Sequence, residues 1–195
     1  GTAVFEGIRG NWNTNQNKMY IFRLKEHYER LIKGCKILKI DINYSAKELC
    51  DITIKLIKES GYREDIYIRP LAYKSEEKVA NLKLHELESN FALMIVPFGN
   101  YIDNEKPIRC QTSSWRRPHD SMMPTGVKLS GLYTTSILAK TEAIMAGFDE
   151  AILLNFDGSV SEGSGENLFM LKDDELITPS ETENCLLGIT RNCVF

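Results

Sequence analysis

The chain has no run of 18 apolar residues, which excludes a membrane-spanning helix. It has no Cys-x-x-Cys pair. Its five cysteines (Cys35, Cys50, Cys110, Cys185, Cys193) are odd in number and scattered, which argues against a disulfide framework or a zinc site and for buried thiols in a reducing compartment. The histidines are few and dispersed: His27, His85 and His119 have no partner at ligand spacing, and His-Glu-x-x-His and EF-hand patterns are missing, so no metal is expected. A Gly-x-Ser-x-Gly nucleophile elbow is absent as well. Positive charge is not in excess. Lys and Arg number 24 against 27 Asp and Glu, a net −3, which gives no electrostatic drive toward nucleic acid. Nothing after Gly1 reads as a signal peptide. These absences lead us to expect a cytoplasmic globular protein with neither nucleic acid nor membrane as a partner.

What is present is ordinary in bulk and informative in order. The 195 residues are 43% hydrophobic and 26% charged, enough for one large domain or two small ones. A β-prone opening at 2–10, a polar turn at 11–17 and a strand at 18–24 predict a hairpin. Tyr28, Leu31, Ile32, Cys35 and Leu38 follow at helical spacing. Ser45 and Glu48 form a capping box ahead of Leu49, Ile52, Leu56 and Ile57, with Gly61 as the stop. Strands are expected at 66–72, 90–97 and 108–114, with a charged, solvated excursion at 74–88 between the first two. Residues 116–126 (RRPHDSMMPTG) are the best linker candidate. A helix at 134–145, closed by Gly147, precedes strands at 150–155, 160–162, 167–171 and 176–178, and 188–195 has the look of a helix start. The mixture indicates an α+β or mixed α/β fold in two lobes. The expected division is a small N-terminal domain at 1–115, an interdomain loop at 116–126 and the first part of a larger domain at 127–195.

Five sequence features bear on chemistry. Gly163 to Leu168 (GSGENL) matches a dinucleotide fingerprint only in part: Leu168 replaces the third glycine and a strand follows where a helix is needed, so a β-turn is the better reading. Arg116 and Arg117, beside Trp115 in a Pro-rich loop, read as solvated. Lys128 stands between Val127 and Leu129, away from the other lysines. Desolvation there would suit an imine-forming amine, although a lysine in such a place more often reaches solvent. Glu162 and Glu166 flank a Gly/Ser turn in SEGSGENLF, and LLGITR (186–191) sets Gly188 before Ile189 and Thr190, where free N–H groups and a hydroxyl can meet an anion.

Taken in order, GTAVFEGIRG (1–10), YIRPLAY (67–73), SSWRR (113–117), PTGVKLSGLY (124–133) and the stretch 161–191 closely resemble the fold-type IV pyridoxal-phosphate enzymes, and among them the branched-chain amino acid aminotransferases. The likeness implies the two-domain fold of D-amino acid aminotransferase, with the larger, C-terminal domain truncated in this sequence. It also implies pyridoxal 5′-phosphate as cofactor and transfer of the amino group of Leu, Ile or Val to 2-oxoglutarate by a ping-pong mechanism. Lys128 would carry the cofactor as a Schiff base and act as general base and acid. Glu162 would lie against the pyridine nitrogen, Tyr133 near the phenolic oxygen, and Arg30, Ile189 and Thr190 on the phosphate.

For substrate, Phe5, Gly7, Trp115 and Tyr133 would form the apolar pocket. Tyr67 and Arg69 would meet carboxylates, Arg69 the distal one of glutamate. A homodimer or higher homo-oligomer is implied, as is a polypeptide extending before Gly1 and beyond Phe195. Two neighbours of the same fold, aminodeoxychorismate lyase and D-amino acid aminotransferase, are alternatives, as is an inactive cofactor-binding fragment. Preference among Leu, Ile and Val does not follow, since one methylene in an apolar pocket is worth only about 1–3 kcal/mol.

Overall fold

A computed structural model describes residues 1–99 and 106–194. The chain divides into two compact units, Thr2–Asn104 and Glu105–Phe195 together with Gly1.

The first unit is an antiparallel sheet with two helices on one face. Its strands are β1 (Ala3–Phe5), β2 (Ile8–Asn13), β3 (Lys18–Ile21), β4 (Ile66–Lys74) and β5 (Ser89–Pro97). β5 pairs along all of β4, whose other edge takes β1 and β2 in one continuous register: Phe5 faces Leu71 and Ile8 faces Ile68. The interruption between β1 and β2 falls opposite Pro70. Glu6 N–H donates to the Pro70 carbonyl at 3.0 Å, but Pro70 has no N–H to return. Alternation does the rest. Val4, Glu6, Ile8, Ile66, Ile68 and Ala72 are fully buried, while Phe5, Tyr67 and Arg69 stand on the other face.

Helices α1 (Leu24–Ile37) and α2 (Ala46–Ser60) cover the buried face through Tyr28, Leu31, Cys35, Leu49 and Ile57. α2 starts with the expected capping box and ends on Gly61 at φ 69, a left-handed position that favours glycine. α1 begins earlier than expected, at Leu24, because Arg23 at φ 49 turns the chain out of β3.

In the second unit β6 (Cys110–Arg116) runs parallel to β7 (Glu150–Leu154), joined by a crossover through α3 (Tyr133–Met145), and β8 (Val160–Gly163) lies antiparallel on the far side of β7. β9 (Met170–Lys172) and β10 (Glu175–Ile177) form a hairpin whose Asp173 and Asp174 both have positive φ, the turn that such a two-residue loop demands.

This corrects the expected division. Residues 106–126 belong to the second unit, because β6 finds its ladder on β7. The stretch 116–126 is packed rather than linking: Arg117 N–H donates to Leu154 at 2.9 Å, and Arg117 and Thr125 are buried. The expected helix start at 188–195 is a short 3-10 turn, Arg191–Cys193. Among the described residues no helix is long and apolar enough to cross a membrane.

Candidate active site

In the second unit, Lys128 lies between the buried Val127 and Leu129 just ahead of the turn Ser130–Leu132 that leads into α3. That turn brings Tyr133 back over the lysine. Lys128 Nζ donates to the Tyr133 hydroxyl at 2.5 Å and lies 5.0 Å from the ring centre.

Glu162 comes from β8, in the buried row Ser161, Glu162, Gly163. Its Oε1 is 3.0 Å from Arg117 Nη2 and its Oε2 accepts the Leu186 N–H at 2.9 Å. Arg117 is itself buried and donates from Nε to the Asn184 carbonyl at 3.0 Å. Burial pushes the Glu162 carboxyl up; Arg117, the Leu186 N–H and the charge of Lys128 pull the other way without cancelling it. Lys128 and Glu162 therefore feel one another.

The segment that carries Ile189 and Thr190 is tied to the same place. Asn167 donates to the Leu186 carbonyl at 2.8 Å, and Gly188 passes so near it that a Cβ would collide with Asn167 Oδ1. A side chain there would displace the Asn167 amide and its bond to Leu186, which favours glycine before Ile189. Trp115 lies on β6 of this unit, about half exposed.

In the first unit, the outward face of the sheet gathers four expected site residues. Arg69 donates to the Tyr67 hydroxyl from Nε at 3.1 Å and from Nη2 at 2.6 Å, and its guanidinium lies 4.4 Å over the Phe5 ring. Gly7 sits where a Cβ would be 2.5 Å from the Tyr67 hydroxyl, so the close approach of that phenol requires glycine. Arg30 lies on the helix-covered side. It grips Glu6 from Nε and Nη2, both at 2.7 Å, while His27 Nδ1 meets the same carboxylate at 2.9 Å.

Reading the sequence missed Arg117, taken as solvated and found buried against Glu162. The reason is tertiary: β6 bends at its end, with a register shift between Thr112 and Arg116. It also missed Glu6, which no local pattern marks as buried.

Comparison with known proteins identifies the family. The family model described as Amino-transferase class IV matches residues 3–195. A probable branched-chain-amino-acid aminotransferase of Aquifex aeolicus is 50% identical over 195 residues, covering all of this chain and 62% of its own length. The branched-chain aminotransferase of Thermoproteus uzoniensis, crystallised with norvaline, superposes with a TM-score of 0.94 at 43% identity, over 99% of this chain and 64% of that one. The branched-chain amino acid aminotransferase of Thermobaculum terrenum, in its PLP-bound holo form, gives 0.93 at 36% identity, over 98% and 62%. The chain thus spans a little under two thirds of the relatives it matches.

Proposed function

Because the chain belongs to the class IV aminotransferase family, we propose that this protein moves the amino group of Leu, Ile or Val to 2-oxoglutarate in a ping-pong reaction with pyridoxal 5′-phosphate, as a cytoplasmic homodimer or higher homo-oligomer. The observation that carries the reading is the Lys128–Tyr133 hydrogen bond, in a unit whose buried Glu162 feels the lysine's charge.

The donor set fits the cofactor: a primary amine, a phenol and a buried carboxylate held by an arginine, with tethered N–H groups at Ile189 and Thr190. When bound, pyridoxal phosphate supplies an aldehyde for an amine and a ring that accepts the electron pair left on the substrate Cα.

The remaining work falls to this chain. Lys128 Nζ takes the Cα proton and later returns one, as general base and acid, and Tyr133 keeps the amine aimed between these tasks. Glu162, shielded from water, holds a proton at the ring nitrogen, and Arg117 fixes its carboxylate for that purpose. Arg30, Ile189 and Thr190 hold the phosphate. Phe5, Gly7, Trp115 and Tyr133 receive the aliphatic side chain, and Tyr67 and Arg69 orient carboxylates, Arg69 that of glutamate's far end.

The test is Lys128→Ala, assayed with Leu plus 2-oxoglutarate and, separately, by mass spectrometry after borohydride reduction. The parent should turn over and gain the cofactor's mass on Lys128; the variant should do neither. A variant that still gains the adduct would move the role to another lysine. Pyruvate release from aminodeoxychorismate, with no transamination of Leu, would replace the transferase by the lyase.

A further inference from the structure

On the helix-covered side of the first unit, away from the face that bears Phe5, Tyr67 and Arg69, lies an open cavity of about 490 Å³, within the roughly 300–1,000 Å³ range of small-molecule pockets. It lies between the β2–β3 hairpin and the C-terminal part of α2 with the Gly61–Arg63 turn that follows it. The core side of the hairpin (Trp12 paired with Met19, and Ile21) is one wall, and Ile54 and Ile57 of α2 form the other. Met19, Ile21 and Tyr62 also pack on the core of Ile8, Ile57, Ile66 and Ile68, so the cavity floor is the edge of the hydrophobic core itself.

The polar part of the lining is one-sided. Lys18, Lys58 and Arg63 contribute to it and no carboxylate does. Of the neighbouring acids, Glu59 pairs with Lys55 and Asp65 takes both Arg9 and the Trp12 N–H, while the exposed Glu64 follows Arg63 in the chain but is not part of the lining. The carbonyl end of α2 near Gly61 offers about half a negative charge, against three full positive ones.

We propose that this cavity binds a small organic anion with a flat or branched apolar body. The apolar part would lie between Trp12 and Ile57, and the anionic group would face Lys58, Arg63 and Lys18. The assignment rests on the first unit alone and is independent of the reaction proposed above.

Trp12 makes it testable, since Trp115 is the only other tryptophan. In a W115F background, the full chain is titrated with 8-anilinonaphthalene-1-sulfonate and with its uncharged counterpart N-phenyl-1-naphthylamine, following Trp12 emission and Tm. The sulfonate should quench Trp12 saturably at one site and raise Tm, because it binds the folded chain. The double substitution K58Q/R63Q should weaken the sulfonate about tenfold and the neutral probe less than twofold. Raising the salt should act in the same direction on the parent, which covers the case of a poorly folding variant. Equal binding of the two probes, indifference of the sulfonate to both charge removal and salt, or unchanged Trp12 emission would overturn the proposal.

Discussion

Glu6 in the first unit and Glu162 in the second are both buried and both face an arginine, yet their carboxyls are shifted in opposite directions. Burial pushes the Glu6 carboxyl up, but hydrogen bonds from Arg30 and His27 outweigh it and hold the group below its ordinary 4.5. Glu162 has one guanidinium contact and one N–H, and burial wins. A carboxylate whose oxygens are fully taken up is a brace. One that keeps capacity in reserve, within the field of a lysine, is suited to hold a proton for chemistry. The same residue pair thus serves the fold in one region and the proposed reaction in the other, and the number of donors is what separates them.

The sharpest way to break this contrast is to make the same substitution twice. Glu6→Gln leaves the Arg30 fork facing a neutral group in a buried site, which should cost about 3–5 kcal/mol and lower Tm by roughly 10 °C in thermal denaturation. Glu162→Gln leaves Arg117 facing a neutral group, and one of the two acceptor oxygens becomes a donor beside Arg117 or the Leu186 N–H. It should still cost the fold less, because burial already disfavours the Glu162 charge. Its main cost should appear in turnover, about ten- to a hundredfold, with the cofactor still bound. Equal losses of stability would erase the distinction between the two sites.

The two groups also oppose one another in acid. Glu6 titrates below its unfolded value, so its contribution is complete above about pH 4.5 and is lost as pH falls through the folded value. Glu162 titrates above its unfolded value, so its ionised form costs the fold at higher pH and protonation relieves it. Denaturant melts across this range should therefore show a steep acid loss in the parent. The loss should be shallower in Glu6→Gln and no shallower in Glu162→Gln.

Arg69 extends the comparison to the outward face of the first unit. Its guanidinium lies over Phe5 and donates to the Tyr67 hydroxyl, and in the proposed function it would meet the far carboxylate of glutamate. Arg69→Met should raise KM for 2-oxoglutarate by about ten- to a hundredfold and for Leu far less. Equal losses in single-turnover measurements of the two half-reactions would make it a brace for the sheet face, not a specificity residue.

Local chemistry was legible in the sequence wherever a few adjacent residues decide the outcome. Ser45 with Glu48, Gly61, and the Asp173-Asp174 turn all act as their residue types require. The spacing of Tyr28, Leu31 and Cys35 likewise foretells a buried helix face. What stayed hidden depends on partners far along the chain. The parallel ladder of β6 on β7 moves 106–126 into the second unit, and Arg117 is buried by Glu162, 45 positions on. Alternation along β1 and β2 turns Glu6 inward to residues of α1 and Gly7 outward to Tyr67, and neither direction is visible until the strands are paired.

The smallest expected effect tests whether the two regions can be tuned apart. Ser45 Oγ accepts the Glu48 N–H at 3.2 Å, and the Glu48 carboxylate accepts the Ser45 N–H at 2.8 Å, so two donors at the start of α2 depend on this pair. α3 has no side-chain cap and enters from the turn Ser130–Leu132. Ser45→Ala should therefore cost about 1 kcal/mol, a Tm lower by about 2–4 °C, with turnover at saturating substrate unchanged. The cost stays small because Leu49, Thr53 and Ile57 still anchor the helix on the core. Calorimetry and steady-state rates on the same preparation decide the matter. A fall in turnover at temperatures where the variant is fully folded would mean that the start of α2 is coupled to the proposed chemistry.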